Sequence, residues 1–96
     1  MLTGKQKRFL RGKANTVKPI FQVGKSGVND NMIEQISEAL ERRELIKISI
    51  LQNCLEDKNE VAAALSAGAK AELVQVIGNQ IVLYKESEEY KEIVLP

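Results

Sequence analysis

The segment Leu73–Tyr84 constrains the fold most: LVQVI and QIVLY stand either side of Gly78-Asn79, in a run where apolar residues recur. That dipeptide reaches the positive φ angles a two-residue turn needs, so residues 73–84 are expected to form an antiparallel hairpin. The rest of the chain has to complete this sheet and cover it. LIKISIL at 45–51 alternates Ile46, Ile48 and Ile50 with Lys47 and Ser49, the pattern of a strand with one buried face, which turns Lys47 away from the isoleucines. Pro19 cannot continue a helix, so Ile20, Phe21, Gln22 and Val23 read as a further short strand.

Three helices separate these strands. Thr3 and Gln6 have capping-box spacing, and Phe9 with Leu10 gives a narrow apolar edge, which predicts a helix from about Gly4 to Lys13 with otherwise basic faces. Asn29 or Asp30 can cap a second helix with Ile33, Ile36 and Leu40 on one stripe. Glu34, Glu38 and Glu41 then take its solvent side, and Arg42 and Arg43 suit the negative end of its dipole. Val61, Ala62 and Leu65 mark a short third helix ending near Gly68. The tail KESEEYKEIVLP is acidic, then apolar, and either docks as an edge strand or stays loose. The order α-β-α-β-α-β-β implies an α/β (α+β) fold of one domain, residues 1–96, with a mixed four-stranded sheet packed by helices.

Composition removes several function classes. With Cys54 as the one cysteine and no histidine among 96 residues, a disulfide framework, a thiolate zinc site and any Ser-His or Cys-His pair are excluded. The remaining catalytic candidates, Glu56 with Asp57, Cys54, Lys25 or Ser26, have no recognisable base or metal partner, so neither enzymatic activity nor a cofactor or metal is expected. The basic N-terminus has no apolar run behind it and no stretch approaches a membrane span, which points to a cytoplasmic chain without a membrane partner.

The net charge of +1 conceals a polar division. Up to Asn29 there are seven basic residues (Lys5, Lys7, Arg8, Arg11, Lys13, Lys18 and Lys25) and no acid; from Asp30 onward there are seven basic and thirteen acidic residues. A +7 segment beside a −6 remainder can offer one positive face to a polyanion, although a solvated basic helix carries the same signature. The basic segment ends in Gly24-Lys25-Ser26-Gly27, between a strand and a helix N-terminus. Amides there can converge on an anion, Lys25 adds charge, Ser26 adds a hydroxyl, and two glycines omit the Cβ atoms that would hold a sugar-phosphate backbone away. The same GxxG also serves as a plain tight connection. It meets neither the Walker pattern nor G-x-G-x-x-G, so nucleotide hydrolysis is unsupported.

Taken together, LTGKQKRFLRGKANTVKPIFQVGKSGVND, ALERRELIKISIL and VQVIGNQIVLYK resemble the YhbY family of CRM-domain proteins over nearly the whole chain. The resemblance implies a fold similar to the C-terminal domain of bacterial translation initiation factor three. It also implies RNA binding through Gly24, Lys25, Ser26 and Gly27 with adjacent basic surface, and association with precursors of the large ribosomal subunit. Lys5, Arg8 and Lys18 are the first additional contacts expected, Lys7 and Arg11 the next, and Lys47 a secondary one across the sheet.

Four aromatics (Phe9, Phe21, Tyr84 and Tyr90), the first two fitting core positions, leave little for base stacking. Recognition by RNA shape and charge follows, with a monomer and ribosomal RNA as the expected partners. An RNA chaperone or intron-splicing cofactor is the runner-up role, and a protein-only adaptor docking through the tail or the hairpin edge is a third.

Overall fold

The computed structural model describes residues 2–96. Helix α1 spans Gly4–Ala14, β1 Pro19–Val23, α2 Asp30–Arg43, β2 Leu45–Ile50, α3 Lys58–Ala69, β3 Glu72–Ile77 and β4 Gln80–Tyr84. The strands lie in the order β1-β2-β4-β3, with β1 parallel to β2 and the other pairs antiparallel, so the mixed sheet expected from the element order is the one formed. Parallel pairing of β1 with β2 demands a crossover, which α2 provides.

Both faces of the sheet are covered, because alternate residues of the strands project to opposite sides. On one face Val23, Ile46, Ile48, Ile81 and Leu83 pack with Ile36 and Leu40 of α2 and with Val61, Ala62 and Leu65 of α3. On the other, Leu45, Val74, Val82 and Tyr84 pack with Leu10 and Ala14 of α1. Leu73 and Val76 both reach the first face because the β3–β4 register slips between Leu73 and Gln75.

Helix α1 carries the capping box read from its sequence: Gln6 N donates to Thr3 Oγ1 (3.1 Å) and Thr3 N to Gln6 Oε1 (3.0 Å). Its apolar edge is narrower than Phe9 with Leu10 suggested. Leu10 is fully buried, whereas Phe9 is exposed beneath the Lys13 ammonium, 5.6 Å from its ring centroid, so Phe9 is no core residue. Asn29, not Asp30, caps α2, accepting from Met32 N at 2.9 Å.

The tail is neither an edge strand nor loose. Glu44 Oε1 accepts from the amides of Glu92 (2.8 Å) and Ile93 (2.9 Å), and its Oε2 accepts from Ser87 (2.9 Å). Glu41 accepts from Ser87 Oγ (2.7 Å) and the amides of Glu88 and Glu89 (both 3.0 Å), so it is a clasp rather than a solvent-side charge of α2. Ile93 and Leu95 then pack beside the α1 core. Glu44 sits at φ 65°, ψ −37° just after α2, a region costly for a residue with a Cβ. The three amides its carboxylate holds give a reason for glutamate where glycine would fit the backbone better.

Candidate functional site

The Gly24–Gly27 segment is a β-turn closed by a bond from Gly27 N to Gly24 O (3.0 Å). It leaves β1 where Leu51 N donates to Val23 O (2.9 Å) and leads directly to the N-terminus of α2. Lys25 and Ser26 form its exposed tip. Their two backbone amides donate to no group among the described residues. An unpaired pair of N–H groups beside a helix N-terminus and a lysine is a receptor for anionic oxygen.

The two glycines have a different reason from the one the sequence suggested. A Cβ on Gly24 would come within 3.2 Å of Asn53 Oδ1 and 3.4 Å of Leu51 Cδ1. At Gly27, buried and at φ 67°, a Cβ would run into the Glu56 carboxylate. Both glycines therefore admit the β2–α3 connection, residues 51–57, which buttresses the turn from behind, and only Lys25 and Ser26 face outward. The connection meets the turn through the side chains of Leu51, Asn53 and Glu56. It also puts a carboxylate beside it, a feature with no periodic or motif signal in the sequence, because Glu56 lies 29 positions from Gly27. Asp57 is less available, since its side chain caps α3 by accepting from Asn59 N (3.1 Å) and Glu60 N (3.4 Å).

The remaining predicted positions fall into two groups. On α1, Lys5 and Arg8 are exposed, while Lys7 and Arg11, four residues apart, are half-buried beside the Leu10 and Ala14 stripe. Gln6, on the other flank of that stripe, donates to the tail at Pro96 O (3.3 Å). The Lys7 and Arg11 stems thus lie on the flank turned away from the tail. Lys47 is half-buried on the α1 face of the sheet, in register with Val82 and Pro19, and points away from the isoleucines as its alternation predicted. Lys18 is separate: it precedes β1, about 20 Å of extended chain from the turn that follows this strand. Among the described residues, none of Lys5, Lys7, Arg8, Arg11, Lys18, Lys25 and Lys47 lies within ion-pair distance of a carboxylate.

Elsewhere in the chain the carboxylates of the tail clasp are perturbed. Burial pushes the Glu44 carboxyl up, but the amides of Ile93, Glu92 and Ser87, with the charge of Lys91, outweigh burial and hold it below the ordinary carboxylate value. Glu41 is held low by the Glu88 amide, the Ser87 hydroxyl and the Glu89 amide. Among the described residues no group of three or more Cys, Asp or Glu side chains could hold a metal ion, and no helix is long and apolar enough to cross a membrane.

Residues 2–85 match the model of the CRS1/YhbY (CRM) domain. A Bacillus subtilis protein named "Probable RNA-binding protein YqeI" is 73% identical over 96 residues, all of both chains. The Methanocaldococcus jannaschii protein "Probable RNA-binding protein MJ0652" is 40% identical over 92 residues, 94% of this chain and 68% of that one. A solution structure of a Staphylococcus aureus protein proposed to bind RNA superposes with a TM-score of 0.83 at 60% identity, covering 100% of each chain.

Proposed function

Because the chain belongs to the CRS1/YhbY (CRM) domain family, we propose that it binds folded RNA by its sugar-phosphate backbone, with the Gly24, Lys25, Ser26 and Gly27 turn as anchor. The observation that carries this reading is the pair of amides of the exposed residues Lys25 and Ser26, which donate to no group among the described residues, in a turn that carries a lysine side chain. Phosphate oxygens complement that set, and a turn already braced by residues 51–57 loses little entropy on binding. Lys5, Lys7, Arg8, Arg11, Lys18 and Lys47 supply further charge along the α1 face and the β1 edge. Among the described residues, none has to leave a carboxylate to do so. Two relatives named for RNA binding support RNA as the ligand class.

The RNA in this reading is ribosomal RNA in precursors of the large subunit, the role implied by the resemblance to the YhbY family, and the protein acts in the cytoplasm as a monomer without a catalytic step. The test is sedimentation of cell lysate on gradients at low and high salt, with wild type beside Lys25→Glu. Salt-sensitive co-migration with large-subunit precursors, lost in Lys25→Glu, is the expected result. Absence of the wild-type protein from every ribosomal fraction would overturn the ribosomal assignment.

A further inference from the structure

At the opposite end of β1 from the glycine turn the surface is concave again. A cleft of about 470 Å³ brings together Lys18, Arg42 and Arg43, with Ile20 and Tyr90 among its walls. The three cations are exposed, and none is within ion-pair distance of a carboxylate among the described residues. Two carboxylates also line the cleft. The oxygens of Glu44 are already spent on three tail amides, and Glu92 is exposed. Ile20 and Tyr90 keep 40% and 48% of their surface, so both offer apolar surface in the same cleft as the cations. The Arg42 guanidinium lies over the Tyr90 ring, 5.8 Å from its centroid.

Tyr90 reaches this place because Glu41 and Glu44 clasp the tail, and Ser87 Oγ accepts from the Tyr90 amide at 2.7 Å. The tail segment lies beyond residue 85, where the family match ends. On the far side of the Arg42 and Tyr90 pair are Glu34, Glu38, Glu41 and Glu89, which repel a polyanion. The Lys18 side has three cations against the two carboxylates Glu44 and Glu92, so the balance there favours an anion.

We propose that this cleft is a second RNA contact, which takes one unpaired nucleotide: Lys18, Arg42 and Arg43 meet its phosphate, and its base lies against Ile20 and the Tyr90 ring. The proposal rests on the RNA-binding reading above and adds what that reading lacks, a stacking surface for an unstacked base. A flat ring with one guanidinium over it, in a cleft that two further cations line, matches a nucleotide, whose base is planar and whose phosphate is anionic. About 16 Å of β1 separates the cleft from the glycine turn, so one folded RNA can engage both.

The test uses a short RNA hairpin with and without a single bulged nucleotide, and reads affinity by fluorescence anisotropy for the full-length chain. Wild type should bind the bulged RNA about fivefold to tenfold more tightly, in the range of one base stacked on an aromatic ring. Tyr90→Ala should lose that gain and Tyr90→Phe keep it, while Lys25→Glu should weaken both RNAs about equally and leave the gain in place. If wild type binds both RNAs alike, or Tyr90→Ala retains the gain, the cleft contact is wrong and the turn reading stands. If wild type binds neither RNA, the RNA-binding reading fails and the cleft contact fails with it.

Discussion

Glu56 and Gly27 show how one residue pair sets the character of the turn. The carboxylate occupies the place a Cβ would take, and the positive φ of Gly27 is disfavoured for any residue that has one. Gly27→Ala therefore meets two separate penalties. We expect it to lower stability in the wild-type background by somewhat more than the cost of the left-handed backbone, about 1 kcal/mol, because the tip of the exposed Glu56 side chain must also swing aside. In a Glu56→Ala background the same change should cost only about 1 kcal/mol. Urea denaturation of the four proteins closes this cycle. Equal losses in both backgrounds would mean that Glu56 moves aside freely and does not define the turn.

At the scale of elements, the C-terminal tail gives the sharpest test, because it is held by side chains rather than by a ladder. Both clasp carboxylates have lowered pKa values in the folded protein, so they bind fewer protons folded than unfolded. Their stabilisation is complete above the ordinary carboxyl value of 4.5 and is lost as pH falls through the folded value. Hydrogen exchange should accordingly show the amides of Ser87, Glu88, Glu89, Glu92 and Ile93 protected at neutral pH and released only at a pH below 4.5, once the lowered carboxyl values are passed, while those of β2 and β4 remain protected. Glu44→Ala should release the Ser87, Glu92 and Ile93 amides at neutral pH. Protection unchanged across this range would rule out the clasp.

The tail also marks where the sequence stopped being informative. Hairpin, caps and strand alternation depend on neighbours a few positions apart, and Thr3 with Gln6, Gly78-Asn79 and Ile46, Ile48 and Ile50 appear in the structure as their spacing required. The clasp joins residues 43 to 49 positions apart, through carboxylates that look like ordinary solvent-side charges of a helix. The same limit hid Glu56 behind Gly27, and it hid the meeting of Lys18 with Arg42 and Arg43, which do stand in the last turn of α2 as expected. The turn was visible because its residues are contiguous, and its brace was not.

For the whole molecule, the fold converts part of the division along the chain into a division across the sheet. Helix α1 and Lys47 put cations on one face, while Glu34 and Glu38 of α2 and Glu60 of α3 are exposed on the helices of the other. RNA held by backbone charge releases counterions, with a slope of log affinity against log salt of roughly −0.7 to −0.9 for each phosphate neutralised. Three to five engaged phosphates give a slope on the order of −2 to −4. Removing one contacting cation should make the slope shallower by about one such increment and weaken different RNA sequences alike. Lys7→Ala, on the α1 flank turned away from the tail, is expected to do both. Lys91→Ala should do neither, because that ammonium is already matched by Glu86 at 2.7 Å. Titrations at several salt concentrations distinguish the outcomes. A wild-type slope near zero would exclude backbone charge as the source of affinity, and equal slopes for wild type and Lys7→Ala would move the contact off the inner flank of α1, leaving Lys5 and Arg8 on its outer surface to carry it.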